Sequence, residues 1–500
     1  MTLRTALGVG SLSIGVALWA ALPAAAPADP PFALVQPDLH ALPNTYANAW
    51  GDFDRDGDLD LAVSTSRHGV RLFRNDAGVL TSVGAQLGLP ESGYELRGLS
   101  WGDYDADGFD DLLAGPIENS RVSLVFHNDG GTHFTKVAAR LGLTLPGRSA
   151  RQTNWVDFDN DGDLDVYATN RAGANQVYRN TGSTFMQVFA GVGPSDVRAS
   201  VGACWFDADL DGDLDLFLAN QAGAADALWR NDGATFTDIA PALGMTGPKR
   251  TPDEGGVGCA VADYDNDGGF DLFVSNYGRN QLYRRNGDGT FTDVAKMVGL
   301  DVENHAVSAD WGDYDNDGDL DLSVMSYEGA PGVQTPKDAL FRNDGPAGFV
   351  NVVDTSSPLN RGDHGAQFVD YDADGGLDLS ITDGYGPTGG HFLFRNTLPD
   401  EAKRRSLSVL VLDAKGRSTR FGAEVRFFDA GGRIVASRQV LTGGGYNTQG
   451  TTPVHVGLRS LAPVTVEVTF MTATGRKSQR IPNVRPADFY RKPLIVRQGD

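Results

Sequence analysis

Asp52, Asp54, Asp56 and Asp60 fall within nine residues, with Gly57 among them, and that spacing suits a bound cation. Four carboxylates so close repel one another. A hard cation with oxygen ligands removes the repulsion, and calcium accepts roughly six to eight such ligands in flexible geometry. The glycine lets the backbone turn sharply around the ion. The same D-x-D-x-D-G-x-x-D pattern recurs six more times. Its carboxylates at positions 1, 3, 5 and 9 are Asp103, Asp105, Asp107 and Asp111; Asp157, Asp159, Asp161 and Asp165; and Asp207, Asp209, Asp211 and Asp215. The last three copies hold Asp263, Asp265, Asp267 and Asp271; Asp313, Asp315, Asp317 and Asp321; and Asp370, Asp372, Asp374 and Asp378.

Position 7 is Asp58, Phe109, Asp163, Asp213, Gly269, Asp319 or Gly376. A position that admits Phe and Gly is expected to ligate through its backbone carbonyl. The loop is not an EF-hand, because its twelfth residue is apolar or small (Val63 in the first copy) where that motif needs a bidentate Glu. Magnesium, which keeps several waters and few protein ligands, suits the loop less well. A single loop also reads as an acidic hairpin turn without metal. Seven copies weigh against that, and the expected complement is about seven Ca2+ ions.

The net charge of −23 follows from these loops. They alone carry −32, which leaves +9 on the remainder. The acidity is therefore a property of the metal sites rather than of a binding face, and no nucleic-acid partner is expected. At the N-terminus, Arg4, an apolar run from Ala6 to Leu22 and the small residues Ala24–Ala26 read as a signal peptide over residues 1–26. An uncleaved anchor is the alternative. No later apolar run is long enough for a spanning helix, so no stable membrane span is expected after cleavage. Export, whether to the periplasm, the cell surface or the medium, agrees with weak calcium sites that fill only where calcium is plentiful. Two cysteines, Cys204 and Cys259, are too few for a disulfide framework. They precede successive acidic loops, and strands there would aim them at each other, either as a bridge or as two buried thiols.

The loops need elements to hold them. Successive copies start 51, 54, 50, 56, 50 and 57 residues apart. A bulky residue stands two places before most first aspartates: Trp50, Trp101, Trp155, Trp205, Trp311 and Phe368. A strand is expected there, and a second after each loop. A third ends in a near-constant pattern such as Leu72-Phe73-Arg74-Asn75, and a fourth opens with Phe, as in Phe236-Thr237-Asp238-Ile239. Four strands in about 50 residues are the pattern of a propeller blade. The seventh copy lacks its fourth strand, and Phe32-Ala33-Leu34-Val35 stands alone before the first loop. The expected fold over residues 27–400 is an all-β, seven-bladed β-propeller closed by that N-terminal strand. Residues 401–500 lack acidic loops. Their alternating runs, such as Pro463-Val464-Thr465-Val466-Glu467-Val468, predict a small β-sandwich-like domain with a hairpin at Gly431-Gly432. It holds 17 bases and 7 acids, read either as a solvated surface or as a partner for an anion: an acidic polysaccharide or the propeller's own rim.

The repeats resemble the integrin-α-like propellers built from FG-GAP/VCBS repeats. Arg420-Phe421-Gly422-Ala423-Glu424-Val425, Gly443-Gly444-Gly445-Tyr446-Asn447-Thr448-Gln449-Gly450 and His455-Val456-Gly457-Leu458 are similar to the ASPIC/UnbV domain. Together they suggest the cartilage acidic protein-like group. That resemblance implies a secreted calcium-binding propeller with the loop aspartates as ligands, and it brings no settled activity. The Phe-Gly and Gly-Ala-Pro signatures of integrin blades are largely missing, with Gly115-Pro116 the nearest approach. Animal relatives can carry a Cys-rich module after this domain, and residues 401–500 contain no Cys.

No nucleophile elbow, phosphate-cradling loop or zinc constellation is present, and no catalytic residue is assigned. His305 and His364 fall near the expected channel, as ordinary lining or as part of a ligand site. Arg361-Gly362-Asp363 spells an adhesion tripeptide in a position that makes it a coincidence. The arginines ending the third strands (Arg74, Arg179, Arg230, Arg342, Arg395) are expected to make blade-to-blade salt bridges. The function expected is a monomeric, non-enzymatic module that binds an extracellular protein or glycan. The alternatives are a secreted polysaccharide lyase or phosphoester hydrolase with its site in the channel, and a structural part of an envelope assembly.

Overall fold

In the computed structural model, residues 30–499 are described except 43, 67, 91–94, 117–123, 144–149, 192, 234, 328–337 and 385–389. The expected signal peptide lies outside the described residues. Seven sheets follow one another along the chain, each with four antiparallel strands, and that of blade two gains a fifth, parallel strand from the C-terminal part of the chain. Blade one is Thr45–Gly51, Asp60–Thr65, Val70–Asp76 and Val79–Ser82. The first strands of the others are Leu96–Gly102, Ala150–Val156, Ser200–Phe206, Gly255–Ala262, Ala306–Gly312 and Ala366–Val369. Each first strand packs on the next, and that of blade seven packs on that of blade one, so the sheets close a ring. Closure works as the sequence predicts. Phe32–Val35 pairs antiparallel with the third strand of blade seven, from Phe32 opposite Asn396 to Val35 opposite Leu393. That pairing covers an edge which would otherwise be open.

The tryptophans before the loops fill the gaps between blades. Trp50, Trp101, Trp155 and Trp205 are fully buried. The indole of Trp101 donates to the Ala49 carbonyl (3.2 Å), that of Trp155 to Ser100 and that of Trp311 to Ala260, in each case on the preceding blade's first strand. Cys204 and Cys259 form a disulfide between the first strands of blades four and five, which resolves the choice left open by the sequence.

After Asn396 the chain builds two facing sheets. One has strands Val454–Gly457, Ser406–Leu412 and Leu494–Arg497. The other has Ile434–Gln439, Glu424–Phe428, Val464–Phe470 and Lys477–Val484, with the expected hairpin between Phe428 and Ile434. Leu407, Val409, Val456 and Val496 of the first sheet meet Val425, Phe427, Val466 and Val468 of the second in one apolar core.

Leu441–Thr451 leaves that sandwich and enters the ring. Thr448-Gln449 adds as a parallel strand beside Leu99-Ser100 of blade two. The Gln449 carboxamide clamps the backbone of Trp155, accepting from its N–H and donating to its carbonyl, both at 2.8 Å. Thr442 does the same to Trp205 through its hydroxyl. The Gly445 N–H reaches the Ala309 carbonyl, and that of Thr451 reaches Trp50. Tyr446 is the tip, buried with Tyr46, Val201, Val257, Val307 and Ala366 from five first strands. The centre of the ring is therefore filled by the protein's own chain. Glycine is needed at 445, where φ is +54° and an added Cβ would stand 2.8 Å from the Ala366 carbonyl oxygen.

Candidate metal centre

Each acidic loop runs from the end of a first strand to the start of a second. Two residues per loop take left-handed conformations: Gly at position 6 (φ +87° to +103°) and position 4, which is Arg55, Ala106, Asn160, Leu210, Asn266, Asn316 or Ala373. The second requirement escaped the sequence reading. Its trace is Asn in three of seven copies, since Asn tolerates this region better than other side chains. With both turns made, the backbone folds around its own carboxylates. One oxygen each of Asp52, Asp54 and Asp60 lies within 4.8 Å of the others, as do those of Asp157, Asp159 and Asp165 and those of Asp207, Asp209 and Asp215. Positions 1, 3 and 9 thus converge in these three loops.

The backbone accounts for part of each carboxylate and leaves the rest. Position 1 accepts the N–H of position 6 in every loop, as Asp52 does from Gly57 (3.1 Å) and Asp313 from Gly318 (2.9 Å). Position 5 accepts the N–H of position 7, whether that residue is Asp58, Phe109 or Gly269. The side chain of position 7 is used elsewhere: Asp58 accepts from the Ala77 N–H, and Asp213 from Asn160. That agrees with a backbone role at position 7. Position 9 accepts from position 2 with one oxygen and from the third strand with the other, as Asp60 does from Phe53 and Asn75.

What remains is a recurrent orphan. The Oδ1 atoms of Asp54, Asp159, Asp315 and Asp372, all at position 3, are buried without a hydrogen-bond partner. So are those of Asp157 and Asp207 at position 1. Burial pushes the carboxyl pKa of Asp52 up to about 6, of Asp313 and Asp370 to about 7, and of Asp60 and Asp165 to about 9. Buried, partnerless, mutually repelling carboxylate oxygens are the donor set a hard divalent cation takes, so the residues present fit calcium. Positions 1, 3, 5 and 9 would supply side-chain oxygens and position 7 its carbonyl.

Loop two differs. His127 takes the place of the usual third-strand Arg, with Nδ1 3.1 Å from Asp111 and 3.3 Å from Asp105. Its hydrogen bond to Asp111 raises its pKa to about 9. An imidazolium beside these carboxylates competes with a cation for them, a feature visible in the sequence only as Val125-Phe126-His127-Asn128.

The third-strand ending has a role other than the one expected. Four of the five arginines pair within their own blade instead of across blades: Arg74 with Asp76, Arg342 with Asp344, Arg230 with Asp232 and Asp209, and Arg179 with Asp159. The neighbouring Asn makes the crossing. Asn75 Nδ2 donates to the Tyr371 carbonyl (2.7 Å) in blade seven's loop, Asn128 to Phe53, Asn180 to Tyr104 and Asn231 to Phe158. Asn343 donates to Tyr264 and Asn396 to Tyr314, and in blade five Arg285 replaces the amide and donates to Ala208. Every loop is thereby tied to its neighbour, by a buried bond in six cases and a half-buried one from Arg285. Changing Asn396 to Ala leaves the Tyr314 and Leu377 carbonyls without that donor. The expected cost is about 2–4 kcal/mol, read from denaturant unfolding of the calcium-loaded protein.

The sandwich docks on these same loops. Arg420 bonds Asp157 (3.1 Å), Arg476 bonds Asp207 and Glu424, Lys403 bonds Asp374, and Arg459 bonds Asp319 (3.0 Å). The basic C-terminal surface thus faces the propeller's own rim. Arg420 and Arg476 hold the Oδ2 of their position-1 aspartates, and the orphaned Oδ1 is on the other side of the carboxylate. The Asp207 and Glu424 side chains are 0% and 1% exposed. Arg476→Met is therefore expected to cost about 3 kcal/mol, because the buried Asp207 loses its cationic partner and Glu424 keeps only Arg426. Hydrogen exchange should rise at the loop-four and sandwich contact.

The remaining motifs fall into place as structure. Asp363 of the Arg-Gly-Asp tripeptide is fully buried. It accepts from the Gly384 N–H, and Gly362 lies against Met325 and Ile381, which leaves no loop tip for adhesion. His364 is buried between the rings of Tyr46 and Tyr446, and His305 stacks on Tyr277 at 5.3 Å.

The sequence model of the FG-GAP-like repeat family matches residues 52–114, 103–168, 157–218, 207–274 and 263–324, more than half of the chain. The chain belongs to that family. Cartilage acidic protein 1 of Mus musculus is 27% identical over 237 residues, 46% of this chain and 35% of its own length. The Xenopus tropicalis protein of the same name is 28% identical over 215 residues, 40% and 31% respectively. The aligned stretch spans about a third of these relatives. Among solved structures, BBS1N in complex with ARL6DN aligns at 8% identity over 74% of this chain and 98% of that one, with a TM-score of 0.45. An Agrocybe aegerita lectin that recognises non-reducing terminal N-acetylglucosamine aligns at 19% identity over 62% and 81%, with a TM-score of 0.39. Among the described residues no helix is long and apolar enough to cross a membrane.

Proposed function

We propose that this chain is an exported calcium-binding β-propeller that acts outside the cell as a binding or adhesion module for a protein or glycan, with no catalysis of its own. The observation that carries the reading is the repeated acidic loop with its partnerless, converging carboxylate oxygens. Calcium ions in these loops neutralise charge that the fold has buried, and so fix the hairpins between first and second strands. Because the Asn side chains tie loop to loop, rigidity in one site is passed to the next. A disulfide between two blades suits an oxidising compartment. The alternative of an enzyme working in the channel needs room where Gly443–Gly450 stands, so the outer faces and the sandwich are the surfaces left for a partner.

The test is surface plasmon resonance of the mature protein against a panel of purified extracellular polysaccharides and matrix proteins, with calcium and after chelation. Saturable binding that disappears on chelation is expected. Steady release of cleaved products from any of the polymers would contradict a non-catalytic role.

A further inference from the structure

The second acidic loop carries a nitrogen donor that the other six lack. Its last aspartate opens the strand Asp111–Pro116, and Leu124–Asn128 pairs with that strand, Leu112 opposite Phe126. The register sets His127 beside Asp111. The other six repeats place Arg at this point. Arg74 and Arg342 reach past their loops to Asp76 and Asp344. The shorter imidazole stays within its loop, with Nδ1 3.1 Å from Asp111 Oδ1 and 3.3 Å from Asp105 Oδ2. One ligand atom each of Asp105, Asp111 and His127 lies within 4.8 Å of the others, and Asp105 converges in the same way with Asp103 and Asp107.

Ligands about 2.0–2.2 Å from one ion stand roughly 2.8–3.6 Å apart at octahedral to tetrahedral angles, and both Nδ1 distances fall in that range. The other ring nitrogen is placed as metal-bound histidines place it. Nε2 is 3.5 Å from Asp129 Oδ1, and the Thr135 hydroxyl donates to Asp129 Oδ2 (2.6 Å), which holds that carboxylate. A histidine that gives its second N–H to a carboxylate is oriented by it and ligates better through its first nitrogen. The Asp105, Asp107 and His127 side chains are 29%, 37% and 19% exposed, so an ion reaches them from solvent. Calcium takes oxygen ligands. An imidazole among carboxylates suits zinc and its first-row neighbours. No zinc spacing shows in the sequence because His127 stands 16 residues beyond Asp111 and joins the loop through strand pairing.

We propose that loop two is a transition-metal site of the zinc class, with His127 Nδ1, Asp105 and Asp111 as its core ligands and Asp129 as the carboxylate that positions the imidazole, while the other six loops take calcium. The ion sits on Nδ1 in place of a proton. The proposal rests on the calcium reading for those six loops, and zinc is counted separately from calcium so that either can fail alone.

Calorimetric titration of the full, calcium-saturated chain with zinc chloride, with both metals counted by mass spectrometry after desalting, tests it. One zinc per chain is expected, with at most one calcium displaced. His127→Arg installs the residue of the other repeats. It should weaken zinc binding by about a hundredfold or more and leave the calcium-dependent melting shift intact, and Asp129→Asn should weaken zinc binding by about tenfold. Electron spin-echo spectra of the calcium-saturated wild-type chain carrying one Cu2+ should show a coordinated imidazole, and His127→Arg should lose it. If the wild-type chain has its calcium shift but takes no zinc, or spreads zinc over several loops, the loop-two assignment is overturned while the calcium reading stands. Unchanged zinc affinity in His127→Arg overturns it too. So does copper without an imidazole signal on the wild-type chain, a result that depends on no variant. Zinc bound one to one by a chain that shows no calcium shift supports loop two and removes the calcium reading.

Discussion

Chelating calcium is expected to lower the unfolding temperature by roughly 20 °C or more, or to leave the protein unable to hold its fold at room temperature. A single site held at 100 times its dissociation constant adds about 2.7 kcal/mol to the folded state. Seven such sites exceed the roughly 5–15 kcal/mol by which domains are usually stable, so the metal term decides whether the ring holds. The effect carries a pH signature. Asp52, Asp60, Asp165, Asp313 and Asp370 have folded pKa values raised to between about 6 and about 9, against 3.8 for the free group. A folded state with raised carboxyl pKa values holds more protons than the unfolded chain. In metal-free protein its stability is therefore greatest below about pH 4 and falls as pH rises through those values. Chelated protein should melt roughly 5 °C or more lower at pH 8 than at pH 5. The gap between calcium and chelator should be wider at pH 8, where no proton competes for the oxygens. Differential scanning calorimetry at the two pH values, with calcium, magnesium and chelator, measures both. A chelated protein that gains stability towards pH 8 would contradict the burial of these carboxylates.

Gly445→Val is expected to cost about 3–5 kcal/mol, and to act on the joint between ring and sandwich rather than on the acidic loops. A β-branched residue at φ +54° is strained by about 1–3 kcal/mol, and its Cβ meets the Ala366 carbonyl at 2.8 Å, which adds an overpacking cost of similar size. The segment is held by backbone bonds to Trp50, Leu99 and Ala309 and by the Gln449 clamp on Trp155, so displacing its tip strains several blades at once. Hydrogen exchange should rise across Gly443–Gly450 and at Trp155, with the number of bound ions unchanged. An unaltered melting temperature and unaltered protection there would mean that the segment does not brace the ring.

The legible parts of this protein are those written locally and repeated. The acidic pattern, the bulky residue before it and the missing fourth strand of the last repeat each sit within a few residues of their partners. Repetition turned them into seven sheets and a closing strand at Phe32–Val35. The third-strand ending points to the wrong residue, because its Arg carries the charge expected of a crossing contact. The Asn beside it is the buried one, and it makes the crossing in six blades. A hint lay in repeat two, where His127 replaces the Arg and Asn128 stays. The segment filling the ring is illegible as such, since its hydrogen-bond partners in the ring lie roughly 140–400 residues away in sequence. Its signal is compositional: from Val440 to Val454 there is no charged residue, inside a strongly basic region. The left-handed residue at position 4 was hidden because Arg55 and Leu210 occupy it as readily as Asn160.

Native mass spectrometry of the mature protein, exchanged into calcium and separately into magnesium, tests the central claim most directly. The account predicts a folded species carrying about seven calcium ions, with loop two the last to fill because His127 competes for Asp105 and Asp111. A folded species that carries no calcium, with the same charge-state distribution in calcium and in chelator, would contradict it.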